Sequence, residues 1–273
     1  MMRYRFLLAS ILAAAVSACS GEPDMTGPPP VPPPPVALLR EIVIPNLPSP
    51  YYHFAYDSAG RVTTVSFASE LRVYAVTYDG GRIREMSNDA VGNRDRLQYV
   101  YDRAGQVDTI RYVDANGLVY TRLVLSYDGP RLAGIVRQRI VDAGIVVDKT
   151  MSLSYYPDGN LLEITEHRPA LDGQPEMSTV DHFEHYDDKI NVDGFSLIHD
   201  DFFDHLVLLP GVQLQKGNPG RQTRTGDGFT FDVDYVYAYD GSNRPLSKSG
   251  DLTITNGPDA GRKIQIRSDF SYY

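Results

Sequence analysis

A complete β-hairpin turn is encoded by Tyr101-Asp102-Arg103-Ala104-Gly105-Gln106-Val107-Asp108-Thr109-Ile110. An aromatic and β-branched run leads into an Asp/Gly turn, and a second apolar run leaves it, which is typical of two antiparallel strands. Aspartate opens such turns by bonding its own backbone, and glycine supplies a positive φ angle. The stretch therefore predicts a hairpin with its turn at residues 102–106.

Variants of this stretch recur along most of the chain. They begin at Tyr56, Tyr78, Tyr127 and Tyr156, with a weaker copy at Tyr186 and a looser one at Tyr239. Together with Tyr101, the first six starting tyrosines are spaced by 22, 23, 26, 29 and 30 residues. The sequence therefore predicts a repeat of one hairpin unit, joined by loops of increasing length.

Apolar residues after each turn lie three positions apart, as in Val107 and Ile110 or Ile83 and Met86. A regular strand would place them two apart, because its side chains alternate between faces. A β-bulge, which inserts one extra residue into a strand, explains the spacing. We therefore expect a bulge at the start of each outgoing strand.

The hairpin unit resembles the YD repeat, Tyr-Asp-x-x-Gly-Arg-Leu, of the Rhs and teneurin proteins, in which many hairpins join into a β-shell. The whole chain more closely resembles envelope lipoproteins of unknown function with a porin-like β-fold, found in Bacteroidetes-type bacteria. That resemblance covers roughly residues 38–273 and implies a signal peptide, YD-like hairpins and an aromatic C-terminus. It brings no catalytic residues with it.

Strand patterns dominate residues 38–273, which we expect to form one all-β domain. Residues 231–239 alternate most clearly, with Phe, Val and Tyr at the odd positions. The predicted fold is an antiparallel meander of about 12–14 strands, twisted and partly or wholly closed into a barrel, because open edges aggregate. One short helix is expected at residues 201–209, to plug the barrel or cover an edge, with an irregular apolar loop as the alternative.

The N-terminus is typical of a bacterial lipoprotein. Arg3 and Arg5 precede an apolar run, and small residues lead to Cys19, the only cysteine. Residues 1–18 are therefore predicted to be a signal peptide that is removed before acylation of Cys19. A transmembrane anchor is the alternative, but the run is shorter than the about 20 residues that span a bilayer.

Residues 19–37 contain a run of prolines that predicts a polyproline II spacer, extending on the order of 50 Å. A tether without a recognition role and a docking ligand are both compatible with this composition. The sequence predicts an envelope lipoprotein of the outer membrane, with Ser20 giving no inner-membrane retention signal and with the side of the membrane open. The oligomeric state is also open.

Charge disfavours several partners. Without Arg3 and Arg5 the chain has 24 basic and 35 acidic side chains, a net charge of −11. This excess of acid argues against nucleic acid and against adsorption to anionic lipid. Any contact with a membrane is therefore expected through the acyl chains alone.

Histidines are concentrated between residues 167 and 205, which raises the possibility of a metal site. The candidate ligands are His182, His199, His205 and Asp204, because imidazole and carboxylate groups bind zinc. A strand would place His182 and Glu184 on one face and His185 on the other. No HExxH spacing is present, and solvated strand and loop residues are the alternative explanation.

Catalytic motifs are lacking, so we predict a binding or scaffold module without enzymatic activity or a cofactor. There is no Gly-x-Ser-x-Gly and no phosphate-binding Gly-rich loop. The chain has 19 tyrosines and no tryptophan, and Tyr235, Tyr237 and Tyr239 are candidate contacts for a lipid or glycan inside the barrel. Packing in the core is their alternative role. The alternative function is a metal-dependent or carboxylate hydrolase that uses residues 181–205.

The last strand argues against insertion of the domain into a bilayer. A transmembrane barrel needs apolar side chains at alternate, outward positions. Counting back from Tyr273, the alternate residues are Ser271, Asp269, Arg267 and Gln265. One face of this strand is therefore expected to lie in water.

Overall fold

The computed structural model describes residues 38–88, 94–192, 197–200 and 205–273, and all regular secondary structure in these residues is β-strand. The first nine strands are β1 (Leu39–Val43), β2 (Tyr52–Tyr56), β3 (Val62–Phe67), β4 (Arg72–Asp79), β5 (Arg82–Asn88), β6 (Arg96–Tyr101), β7 (Val107–Val113), β8 (Val119–Asp128) and β9 (Arg131–Val141). The others are β10 (Gly144–Tyr155), β11 (Leu161–Arg168), β12 (Met177–Glu184), β13 (Leu197–Asp200), β14 (His205–Leu208), β15 (Arg221–Gly226), β16 (Phe231–Tyr239), β17 (Pro245–Ile254) and β18 (Lys263–Tyr272).

Sixteen of the 18 strands in the described ranges form one closed antiparallel barrel. Each strand pairs with its neighbour along the chain, except that β12 pairs with β15 and leaves β13 and β14 as a separate two-stranded sheet. The barrel closes where β1 pairs with β18, with Ile42 opposite Phe270. The predicted all-β meander is confirmed, and it closes completely, with more strands than the sequence suggested.

The spacing of apolar residues after each turn results from a β-bulge. In the hairpin of β6 and β7, Tyr101 lies opposite Val107, and Asp108 is passed over before pairing resumes at Thr109. Corresponding register shifts occur in the hairpins β2–β3, β4–β5, β8–β9 and β10–β11. The bulge turns both Val107 and Ile110 into the buried face, which confirms the prediction.

In most hairpins, a tyrosine at or just after the end of the incoming strand fastens the hairpin to the one before it. The Tyr101 hydroxyl donates a hydrogen bond of 2.8 Å to the Ile83 carbonyl, from the end of β6 to the start of β5. Equivalent bonds join Tyr56 to Leu39, Tyr78 to Val62, Tyr127 to Val107, Tyr155 to Leu132, Tyr186 to Leu161 and Tyr272 to Pro245. These bonds run along one end of the barrel, which we call the tyrosine end.

The fifth repeat begins one residue earlier than the sequence pattern indicated. Tyr155, and not Tyr156, lies opposite the start of β11 and makes the hydrogen bond at the tyrosine end. Tyr156 occupies the position of the turn aspartate, because its N–H bonds the Asn160 carbonyl as the N–H of Asp102 bonds that of Gln106. With two adjacent tyrosines, the sequence alone could not decide between them.

Buried side chains face the interior of the barrel. Along β4, Tyr74 and Val76 are buried, whereas Val73 and Ala75 are exposed. Because the wall is a single sheet, side chains that are buried at alternate positions must point inward. The largest fully buried side chains include Tyr74, Tyr112, Phe54 and Phe67. The inward faces of the first strands therefore form a hydrophobic core.

Residues 205–220, which we call the plug segment, enter this core. Val207, Leu208 and Leu209 are buried, and the buried Tyr99 hydroxyl donates a hydrogen bond of 2.8 Å to the Leu208 carbonyl. The predicted helix at residues 201–209 is wrong over residues 205–208, which form β14, while residues 201–204 lie outside the described ranges. An apolar segment that packs inside a barrel has no polar, solvent-exposed face, so the spacing of its apolar residues does not distinguish a helix from a strand.

Candidate ligand cavity

A cavity of about 770 Å³ lies at the opposite end of the barrel from the tyrosine end. Inward side chains of β9, β10, β11, β12 and β15 form its walls, and the turns at 169–176 and 227–230 form its rim. We call this the cavity end. The volume lies within the range of about 300–1,000 Å³ that is usual for small-molecule sites. The cavity is therefore large enough to be a binding site.

One wall carries a chain of ion pairs. Asp148 lies 2.8 Å from Arg137 Nε and 3.0 Å from Arg139 Nε, and a second nitrogen of Arg139 lies 2.7 Å from Asp172. The pairing of β10 with β9 skips a residue between Val147 and Lys149, so that Asp148 is the extra residue of a bulge. That bulge brings the carboxylate to the same side of the sheet as the two arginines.

A second charged group lies further around the same side of the barrel, on β12 and β15. Arg224 on β15 donates hydrogen bonds of 2.9 and 2.6 Å to both carboxylate oxygens of Asp181 on β12, directly opposite in register. Gln222 donates a further bond of 2.9 Å to Asp181. The hydrogen bonds that Arg224 donates to Asp181 raise the pKa of Arg224 above its ordinary value. This guanidinium is therefore always charged and held in one orientation.

All four arginines of the cavity have a carboxylate partner. The fourth, Arg168, donates a hydrogen bond of 2.7 Å to Glu166. A fifth carboxylate, Asp227, accepts a bond of 2.8 Å from the Ser178 backbone N–H. With four arginines and five carboxylates, the lining has a formal charge of −1.

Apolar side chains fill the spaces between the charged groups. Met151 and Ile164 lie on the strands, whereas Leu171, Met177 and Phe229 lie towards the rim. The Phe229 side chain is 50% exposed, and its ring centroid lies 5.7 Å from that of Phe231. The cavity thus offers both apolar surface and hydrogen-bonding groups to a ligand.

The three tyrosines predicted to contact a ligand lie on the inward face of β16 but do not line this cavity. Their hydroxyls have partners within the protein: Tyr235 donates to Gln222, Tyr237 to the Pro219 carbonyl, and Tyr239 to the Asp187 carboxylate. Two of the three bonds hold residues that flank or belong to the plug segment. A role of these tyrosines in binding stays a prediction.

Asp187 fixes the end of the plug segment. It accepts hydrogen bonds from Tyr239, from the backbone and side chain of Asn218, and from the Lys189 N–H. Burial raises the pKa of Asp187, but these hydrogen bonds outweigh it and hold the pKa below its ordinary value. The Gly217-Asn218-Pro219-Gly220 turn is therefore an anchoring point.

The predicted metal ligands are not shown to converge. His182 lies on β12, with Nε2 3.4 Å from Glu184 Oε1 and Nδ1 4.0 Å from Glu163 Oε2, so the expected shared face of His182 and Glu184 is confirmed. His199 belongs to β13 and His205 to β14, whereas Asp204 lies outside the described ranges. In the residues that the structure describes, no three His, Cys, Asp or Glu side chains are grouped to hold a metal ion. The metal site stays a prediction.

The predicted lipidation site, Cys19, and the spacer at residues 19–37 also lie outside the described ranges. Across the parts of the chain that are described, no helix is long and apolar enough to span a membrane.

The cavity residues carry no local sequence signal. Arg137, Asp148, Asp181 and Arg224 are separated by up to 87 positions, and each alone resembles an ordinary charged strand residue. Only the polar composition of residues 221–226, where a barrel strand would normally place apolar side chains, could have indicated a polar interior.

The fold is similar to that of two proteins of known structure. A crystal structure described as a porin-like protein from Bacteroides uniformis superimposes with a TM-score of 0.58 at 14% identity, over 81% of this chain and 89% of that one. A porin-like protein from Bacteroides vulgatus gives a TM-score of 0.55 at 15% identity, over 86% of this chain and 98% of that one. No family model and no curated protein matches the sequence. At these identities, the similarity establishes a shared barrel fold.

Proposed function

We propose that this protein is a non-catalytic binding or scaffold module of the cell envelope, tethered through an acylated Cys19, with its barrel in water. The observation that carries the proposal is the distribution of side chains on the barrel wall. On β18 the inward Phe270 is buried, whereas Arg267 and Asp269 form an exposed ion pair of 2.7 Å. The outward face of this strand is therefore polar, as a barrel surrounded by water requires.

Other strands have the same polarity. Arg84 on β5 and Asp108 and Arg111 on β7 are exposed between buried apolar neighbours. An outward Arg at the middle of a bilayer costs about 2–4 kcal/mol, so repeated charges disfavour insertion. The outward surface of this barrel is thus the reverse of the apolar band that a membrane barrel presents.

Exposed apolar side chains are scattered over the described residues, with one group at the tip of the β9–β10 hairpin. Ile140 and Ile145 lie opposite each other on β9 and β10, beyond the last residues that pair with β8 and β11. A bilayer-spanning barrel needs apolar residues around its whole circumference. An apolar hairpin tip does not supply that band.

The envelope location and the binding role rest on different support. The lipoprotein-like N-terminus and the porin-like description of the two Bacteroides proteins favour an outer-membrane location, with the side of the membrane open. The cavity at one end and the YD-like repeats favour binding or scaffolding over catalysis.

The proposal is tested with protein that lacks residues 1–36. We expect it to refold and remain monomeric without detergent, as measured by light scattering coupled to size-exclusion chromatography. The matched sample is the acylated full chain, which should require detergent. A truncated protein that aggregates unless detergent is present would contradict a water-exposed barrel.

A further inference from the structure

We propose that the cavity binds a neutral carbohydrate, an oligosaccharide without charged groups. The inference rests on the proposed binding function and adds the chemical class of the ligand. It starts from the state of the charges in the cavity. Each of the four arginines is already paired with a carboxylate, and the whole lining carries a formal charge of −1.

A charged ligand fits this lining poorly. An anion that approached Arg224 would lie beside the carboxylate of Asp181, whose side chain is only 10% exposed, and would either be repelled by it or have to displace it. A cation at Asp148 would displace Arg137 or Arg139 in the same way. Breaking a partly buried pair leaves a charge without its partner, and the ligand would have to recover that cost elsewhere. The paired charges therefore select against ionic ligands.

Hydroxyl groups can bind without breaking the pairs. A guanidinium has five N–H donors and a carboxylate has about four lone-pair sites, so a single ion pair leaves some of both available. A polyhydroxylated ligand can add to these groups as donor and acceptor.

The apolar part of the lining matches the apolar faces of a sugar ring. A pyranose ring has C–H groups on its faces and hydroxyls around its edge. Met177, which is 36% exposed, and Phe229, which is 50% exposed, lie at the rim and can cover such a face. An acyl chain is a poorer fit, since it would desolvate the charged walls without replacing their contacts with water.

A single tryptophan reports on the rim. The chain has no tryptophan, so Phe229→Trp introduces a unique fluorophore. Val236→Trp is the matched control, because Val236 is 68% exposed and lies on the outward face of β16. The acylated full chain is used in a polyoxyethylene detergent, since the headgroups of maltoside detergents are themselves sugars.

The probes are maltotetraose, cellotetraose, xylotetraose and the tetramer of N-acetylglucosamine, with tetragalacturonate as the charged counterpart. We expect at least one neutral probe to change the emission of Phe229→Trp saturably and to leave Val236→Trp unchanged. The affinity should not depend on salt, because no ionic contact forms. No response to any neutral probe at about 10 mM, which exceeds a millimolar dissociation constant tenfold, overturns the proposal.

A second pair of variants locates the binding site. Thr179 on β12 lines the cavity, and Val180 is the next residue, on the opposite face of the strand. By calorimetry, Thr179→Trp should weaken binding at least about tenfold, or 1.4 kcal/mol, whereas Val180→Trp should change it less than about twofold. Circular dichroism checks that both variants fold. If Thr179→Trp does not fold, the fluorescence of Phe229→Trp still tests the proposal.

Two further results would overturn the sugar proposal. One is unchanged binding in a folded Thr179→Trp variant, which would place the sugar elsewhere. The other is tighter, salt-dependent binding of tetragalacturonate, which would show that the pairs open for an anion. If the truncated protein is a monomer without detergent but no neutral probe binds, only the carbohydrate proposal is rejected. If the barrel needs detergent, the proposed function as a tethered module in water is rejected.

Discussion

Removing one hydroxyl at the tyrosine end should weaken the barrel by a measurable amount. In Tyr78→Phe, the ring and its contact with the Arg61 guanidinium, 4.8 Å from the ring centroid, are kept. The lost group is the hydroxyl that donates a hydrogen bond of 2.7 Å to the carbonyl of Val62, a residue only 8% exposed. The variant therefore isolates one hydrogen bond between neighbouring hairpins.

The expected cost is about 1 kcal/mol, with an upper range of about 2 kcal/mol, because a partly buried carbonyl loses its partner. For a denaturant dependence of about 3 kcal/mol per molar urea, the unfolding midpoint should fall by about 0.3 M. Urea unfolding followed by circular dichroism measures this shift. Tyr127→Phe removes the equivalent bond four strands away, about 19 Å along the sheet, so the two costs should add.

Tyr273→Phe is a companion variant. Its hydroxyl donates a similar bond of 2.9 Å to the carbonyl of Phe54, which is fully buried, although Tyr273 itself is 63% exposed. Because a buried carbonyl that loses its partner is not readily hydrated, the midpoint should fall about as much as in Tyr78→Phe. No shift in either variant would show that these hydrogen bonds do not stabilise the barrel.

Three further changes test other parts of the structure. Gly217→Ala should lower the thermal midpoint, because a Cβ atom there would lie 2.2 Å from the Asp187 carbonyl oxygen; an unchanged melting curve would contradict the anchoring of the plug segment. Burial raises the pKa of Tyr101 and Tyr127 from 10.0 to about 12, so the folded state holds these protons more tightly than the unfolded state. The contribution of these groups to the free energy of unfolding should be fully present below pH 10 and be lost between pH 10 and 12. A flat pH profile in urea titrations would refute this. Cys19→Ala should abolish incorporation of a labelled fatty acid in vivo, and a labelled variant would refute lipidation at that residue.

The hairpins could be predicted because their determinants are local. Asp102 bonds the Gln106 N–H through its side chain, and Gly105 has a φ angle of 89°, which only glycine adopts readily. Both features lie within five residues of sequence, as does the bulge that follows. Closure could be inferred only in general, since the register of β1 with β18 joins residues more than 220 positions apart.

The strand count was underestimated in part because one barrel strand has no apolar side chain. β15 reads Arg-Gln-Thr-Arg-Thr-Gly, and its inward Gln222 and Arg224 bond Asp181 instead of joining the hydrophobic core. Sequence patterns detect a strand through the side chains that it buries in an apolar interior. A strand that faces a charged cavity has no apolar pattern and is not detected in this way. The cavity could not be predicted from the sequence for the same reason.

The width of the barrel explains why its two ends differ. Sixteen strands enclose more space than the wall side chains alone can fill, and open barrels of that size hold a water-filled channel. At the tyrosine end, the plug segment supplies the missing volume, and Leu208 and Leu209 pack near Val62 and Ile83. At the cavity end the space is not filled by the plug segment, and the inward side chains there are charged and paired.

The chain enters the barrel at the tyrosine end, where the Tyr273 N–H donates a hydrogen bond to the Leu38 carbonyl. The cavity therefore opens at the end of the barrel opposite Leu38, the residue that follows the predicted spacer. A ligand in solution can therefore reach the cavity without passing the plug segment.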